Sequence, residues 1–243
     1  MRVFVAAILA LGTLAALAGV GLKRPGWRAG QTINIVVRGA TTGEIGCLES
    51  TLTAFHGVVP LSFRFLPETS RADVLLDIQR PVVTQGPARH GSSDVGNRRW
   101  RQERMTLVMH ASTAFEGYDA ALCERARWAI LHEFGHLVGL KHEHQHPDAP
   151  ASLRERLLQR YEGIAAPSNF VLLRRHSSSQ YAFTPYDVLS IMHYDFSWTD
   201  EMAPDFGFDL TPWSSTNAHT GVHHFFGPRQ LSEGDIEFLR SIY

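Results

Sequence analysis

Apolar residues recur along this chain at two periods, and the change of period marks the elements. Thr32 to Arg38 (T-I-N-I-V-V-R) is rich in β-branched residues and predicts a strand. Leu61 to Leu66 alternates and predicts a second strand, Ala72 to Gln79 a third, and Met105 to His110 a fourth. Between the first two the period becomes helical. Ile45, Leu48, Leu52 and Phe55 share one side, behind a capping box of Thr41 and Glu44. Residues 81–104 hold Gly, Pro, Ser and Arg and predict a loop. A long helix is predicted from about Asp119 to Leu137. Ser152 and Glu155 are spaced to cap a shorter one reaching about Tyr161, with Leu153, Leu157 and Leu158 inward. Residues 163–190 look irregular, and 199–228 are polar with Gly and Pro. Ser232 and Asp235 open a final helix with Ile236, Leu239 and Ile242 on one face. No repeat interrupts this order. The expected class is α+β: a mixed sheet with two long helices, then a less regular lobe, with the second long helix flooring a cleft between them.

Composition narrows the setting. The chain has 243 residues, 44% hydrophobic and 19% charged, enough for one sizeable core or two small lobes. A net charge of −1 supplies no bulk field for nucleic acid or an anionic membrane, and nothing signals an oligomeric state. Arg2 precedes an apolar run from Val3 to Leu17, and Ala16-Leu17-Ala18 is a small-x-small cleavage signal. Residues 1–18 therefore read as a signal peptide cut after Ala18, with an uncleaved membrane anchor as the alternative. The product would be secreted or periplasmic. Residues 19–30, rich in Gly, Pro, Lys and Arg, read as a linker to a domain over 31–243. Its upper lobe would span about 31–142 and its lower lobe about 143–243. Cys47 and Cys123 are the two cysteines, either a disulfide or two separate buried thiols.

Residues 132–144 read H-E-F-G-H-L-V-G-L-K-H-E-H. His132 and His136 are four apart, so on a helix they lie one turn apart on one face and reach the same metal. Glu133 follows the first ligand and can approach a water on that metal. Gly139 can take positive φ, end the helix and turn the chain back, so that His142 arrives as a third ligand. Three neutral nitrogens leave one zinc position for water, the pattern of a catalytic rather than a structural zinc site. The bland alternative is an amphipathic helix with solvated histidines, since Leu131, Leu137, Val138 and Leu140 supply an apolar face. The chain carries thirteen histidines. His144, His146 and His193 read as a polar rim or as hydrogen-bonding support rather than a second metal site. His90 with Asp94 resembles a metal pair only faintly, and His219, His223 and His224 read as surface residues.

The stretch H-E-F-G-H-L-V-G-L-K-H, followed by S-I-M-H-Y at 190–194, resembles the metzincin zinc peptidases and most of all their astacin-like branch. Glu143 directly after the third histidine and Tyr194 two past the methionine are astacin traits. Ser93-Asp94-Val95-Gly96, Pro185-Tyr186-Asp187, Gln230-Leu231-Ser232, Asp235-Ile236 and Tyr243 resemble further family positions, so the likeness spans about 31–243. It implies a metzincin-type zincin fold: a twisted mixed sheet with two long helices in the N-terminal lobe, and an irregular C-terminal lobe ending in a helix. His132, His136 and His142 would bind one Zn(2+). Glu133 would act as general base and then acid. Met192 would lie beneath the metal, and Tyr194 would be a displaceable fifth ligand that supports the oxyanion. In the family Glu143 can pair with a newly made N-terminus. The implied activity is that of an exported zinc endopeptidase on a protein or peptide in extended conformation, lying along the fourth strand. The rival is a binding or adhesion module that retains zinc without turnover.

Four departures qualify the resemblance. No Asp precedes Asp73 and no Cys precedes Cys47, so neither the aspartate nor the cysteine pro-segment switch is expected, as in a bacterial-type member without the usual pro-segment. Whether Gly19 or another trimmed terminus reaches Glu143 is open. The family pairs a cysteine of the S-x-V-G loop with one ahead of the zinc helix. Cys123 holds the second place but Ser92 lies near the first, so any bridge would be rewired to Cys47. H-Q-H-P-D-A replaces the family's D-R-D after the zinc motif.

Overall fold

The structure is a computed structural model describing residues 19–79, 91–93, 96, 102–108, 120–161, 181–206, 209–225 and 229–243. The signal-peptide reading of residues 1–18, and the His90 and Asp94 pair, fall outside them.

A five-stranded sheet carries the upper lobe, in the order β3-β2-β4-β6-β5. Its strands are β2 (Thr32–Arg38), β3 (Ser62–Leu66), β4 (Val74–Gln79), β5 (Gly91–Ser93) and β6 (Glu103–Val108). The first four in that order are parallel and β5 is antiparallel to β6. Alternation on β2 explains its placement. Ile33, Ile35 and Val37 face the main core, while Val36 packs with Ala72 and Leu75 on the other face. Two helices cover the core face. Helix α1 (Thr42–Leu52) begins with the expected capping box: Thr41 N donates to Glu44 Oε2 at 2.7 Å and Glu44 N to Thr41 Oγ1 at 3.3 Å. Helix α2 (Ala120–Leu137) buries Ile130, Phe134 and Leu137 against Leu48, Phe55 and Met105. A disulfide between Cys47 and Cys123 joins the two helices across 76 residues of chain.

The lower lobe has its own core of Leu153, Leu157, Val188, Phe196, Trp198, Met202, Leu210 and Phe225. Helix α3 (Ala151–Tyr161) and a small sheet of β8 (Phe196–Trp198), β9 (Ser214–Thr216) and β10 (His223–Phe225) build it, beside a short helix α4 (Ala203–Phe206). The polar 199–228 stretch is thus more regular than its composition implies. Helix α5 (Glu233–Ile242) packs Phe238 and Leu239 into the main core.

Four expectations are corrected. Residues 19–30 are not a loose linker. Val20–Leu22 form β1, which pairs with β7 (Tyr181–Phe183), and Trp27 is buried with its indole N–H donating to Leu137 O at 2.7 Å. Gly21 permits this docking, because a Cβ there would lie 2.5 Å from Gly139 O. The 81–104 loop contains β5, and β6 begins two residues early because β4 pairs with it from Glu103. Helix α3 starts behind Pro150, so Ser152 lies inside it rather than at its cap. Leu158 is 49% exposed, since it sits about 100° round the helix from Leu157, whereas Leu153 and Leu157 share the buried face.

Candidate active site

The last turns of helix α2 carry two of the expected ligands. His132 and His136 face the same way, one turn apart, and both are buried. His132 Nδ1–H donates to Ile191 O at 2.9 Å, and His136 Nδ1–H to Leu140 O at 2.9 Å. Those bonds select the tautomer that leaves each Nε2 unprotonated. Gly139, at φ 113°, closes the helix by donating to His136 O at 2.9 Å. Its hydrogen in place of a Cβ also admits Pro25, which a Cβ would meet at 2.8 Å. The turn delivers His142, whose Nε2 lies 3.0 Å from that of His136. One nitrogen from each of the three rings lies within 4.8 Å of the others, the one such metal-sized cluster among the described residues. Burial holds His136 near a pKa of about 4 and His142 well below its ordinary value, helped by neighbouring rings and Lys141.

Glu133 is buried on the same helix, and its Oε2 has no hydrogen-bond partner among the described residues. Burial pushes its carboxyl up to about 8. Three convergent neutral nitrogens, with an unsatisfied carboxyl oxygen on the residue that follows His132, fit zinc carrying a water that Glu133 could bind.

The 190–194 stretch lies beneath and beside this cluster. Met192 is buried, with Sδ close under Gly135, and its carbonyl accepts from Glu143 N at 3.2 Å. The Tyr194 ring stands 4.5 Å from His142 and 6.0 Å from His132, between centroids. Glu143 is buried, accepting from Asp187 N at 2.8 Å. Burial pushes its carboxyl well above the usual range, with Asp187 and Asp235 adding to the rise; the Asp187 and Val20 amides pull the other way. The β1 segment therefore does reach Glu143.

His144, His146 and His193 are buried rather than a polar rim. His146 Nε2–H donates to Thr184 O at 2.6 Å, and His193 Nε2 bonds the Tyr186 hydroxyl at 2.9 Å, so they serve as hydrogen-bonding support. His219 and His224 are exposed, while His223 is half-buried, stacked on Trp198 and bonded to Asp200.

Two positioning features escaped sequence reading. Asp235 caps α5 as expected, but the same carboxylate also accepts from Ser190 Oγ at 2.7 Å and Ile191 N at 2.9 Å. It thereby holds the turn whose carbonyl orients His132. The S-x-x-D cap spacing and the family-like Asp235-Ile236 pointed to this residue, though not to its second duty. Trp128, one turn before His132, has its ring 4.8 Å from the His132 ring. Its i, i+4 spacing was the available signal.

The expected substrate strand is also corrected. Met105–Leu107 of β6 pair with β4 on one side and β5 on the other, so their main-chain groups are taken. On that side β5 is the outermost strand of the described sheet.

A mixed sheet over a helix with H-E-x-x-H, a glycine turn to a third histidine and a methionine turn beneath define a metzincin-type zinc centre. Within that class, residues 120–243 match the sequence profile of the Astacin peptidase family, and the chain belongs to this family. It is 30% identical over 156 residues to zinc metalloproteinase nas-3 of Caenorhabditis elegans, covering 64% of this chain and 48% of that one. The likeness to zinc metalloproteinase nas-2 of the same organism is 38% over 156 residues, with the same coverage of 64% and 48%. The chain thus spans about half the length of these relatives. A solved structure of myroilysin shares the fold at a TM-score of 0.59 and 19% identity, over 93% of this chain and 98% of that one. Zinc is the family's metal, and the three histidines are the residues here able to hold it.

Proposed function

We propose that the chain is an exported zinc-dependent endopeptidase. The observation that carries this reading is the convergence of three imidazoles, with Tyr194 next to the third and a buried, unpartnered Glu133 carboxyl oxygen on the helix that supplies two of them. His132, His136 and His142 would hold the zinc, which when bound supplies a Lewis acid and an acidified water. Glu133 takes the proton of the attacking water and then delivers it to the leaving amine. Tyr194 would help to hold the metal until substrate displaces it, and its hydroxyl would then donate to the oxyanion. The substrate is a peptide lying extended beside β5, the outermost strand on that side of the described sheet. The amide of Gly96, just beyond that strand, donates to His136 O at 2.9 Å, which supports a path close to the zinc.

The disulfide supports export, because such bridges persist in oxidising compartments. Cleavage after Ala18 would leave Gly19 first, already seated with its N donating to Pro185 O at 3.0 Å. Among the described residues no helix is long and apolar enough to cross a membrane.

The test is cleavage of protein substrates by wild type and Glu133→Ala, each with and without chelator. Loss of a proton-transferring carboxylate should lower kcat by roughly 10²–10⁴-fold. Matched behaviour of the two proteins would instead favour a zinc-retaining binding module.

A further inference from the structure

Four rings form a column through the metal site, and its two ends are not metal ligands. The Trp128 ring lies 4.8 Å from His132 at 34°, His132 lies 5.3 Å from His142 at 29°, and His142 lies 5.1 Å from His144 at 19°. The fourth ring, His144, is buried and also packs 4.4 Å from Tyr194. These separations suit offset stacking of planar rings.

The three ligands differ in what orients them. His132 and His136 each donate Nδ1–H to a main-chain carbonyl. His142 has no such carbonyl among the described residues; its hydrogen-bonding contact there is with His136, a fellow ligand. A histidine ligand normally has its second nitrogen tied to a carbonyl, carboxylate or water, which fixes the ring plane. Stacking takes that part for His142. His144 follows it by two residues in a tight turn (Glu143–Gln145), so the main chain presses the two rings together. It also touches Tyr194, so one side chain sets two members of the site. Trp128 closes the opposite end. It is half-buried, rests on the main core and covers the outer face of His132.

We propose that His144 and Trp128 are positioning residues that bracket the zinc ligands, His144 orienting His142 and Tyr194 by ring stacking and Trp128 backing His132. This rests on the three histidines holding zinc as proposed above. Neither residue touches the reacting atoms. Their effect is on how completely the ligand set is formed before the metal arrives, and so on metal affinity.

The experiment compares wild type with His144→Phe, His144→Leu, Trp128→Phe and Trp128→Leu. Zinc dissociation constants are measured by chelator competition on the metal-free proteins, and ligand geometry is read from the visible spectrum of the cobalt forms. Far-UV circular dichroism first establishes that each metal-free variant is folded; one that is not is replaced by Met at that position. The Leu variants should bind zinc roughly 10–100-fold more weakly, the usual consequence of removing ligand support, and change the cobalt bands. The Phe variants, which keep a ring, should stay within about threefold of wild type. Leu variants that bind as tightly as wild type overturn the proposal. So does a His144→Phe variant as weak as His144→Leu, which would assign the effect to the imidazole nitrogens. Failure of wild type itself to bind zinc would overturn the proposed function as well, and is distinguished by appearing before any substitution.

Discussion

Gly135 lies between His132 and His136 on α2, where a Cβ would sit 2.6 Å from Met192 Sδ. Two effects oppose at this position. Ala gains about 1 kcal/mol over Gly in a helix interior. Overpacking a full core costs roughly 1–3 kcal/mol. Met192 is buried and held at both main-chain ends, so the second effect should win. Gly135→Ala should lower Tm by a few degrees. A Tm equal to or above that of wild type would show that Met192 yields freely. Glu133 supplies a pH prediction. Without metal its carboxyl stays protonated up to about 8, whereas a nearby cation favours the ionised form. Zinc binding therefore releases that proton, and affinity should rise with pH and level off above about 8. His136 and His142 are already neutral there, their pKa values being lowered. Glu133→Gln should flatten the slope in chelator competition between pH 6 and 9.

At the scale of elements, α5 does more than complete the core. Asp235 accepts from Ser232 N at 3.0 Å to start the helix, and from Ser190 and Ile191 to hold the turn under the metal. Burial is the main cause raising its pKa to about 6, from 3.8. A raised acid is favoured protonated in the fold. Its stabilising contribution is therefore complete below about pH 4 and lost as pH rises through about 6. Asp235→Asn cannot ionise and mimics the protonated acid. The Tm of the variant relative to wild type should climb between pH 4 and 7; a constant difference would show that Asp235 does not titrate there. The β1 strand is a second element with leverage. Leu22 N donates to Gly139 O and Lys141 N to Val20 O, at 2.8 and 2.9 Å, so it braces the turn between the second and third ligands. A larger residue at Gly21 would collide with that turn and with Phe238.

Over the whole molecule, two devices join distant chain. The Cys47–Cys123 bridge closes a long loop, and replacing both cysteines by Ala should cost about 2–4 kcal/mol, read as a lower denaturation midpoint. The metal site joins α2 to His142, after the helix, with Tyr194 of the lower lobe alongside. A ligand that binds only the folded state stabilises it by mass action, so chelation should lower Tm and added zinc restore it. No change in Tm on chelation would argue against a site formed only in the fold.

The chain itself determined whatever depends on local spacing. The i, i+4 histidines, the glycine turn, the two capping boxes and the β-branched runs each specify geometry within a few residues, and the structure shows them as read. Leu158 was misread because one helical step separates the buried face from the exposed one, and spacing alone does not choose between adjacent leucines. Tertiary structure alone decided what depends on contacts between remote segments. It made a strand of residues 20–22, occupied both edges of the central part of β6, gave the cap residue Asp235 a second duty and stacked His144 on His142. Such contacts leave no period in the sequence, because the partner's distance along the chain is set by the path of the fold.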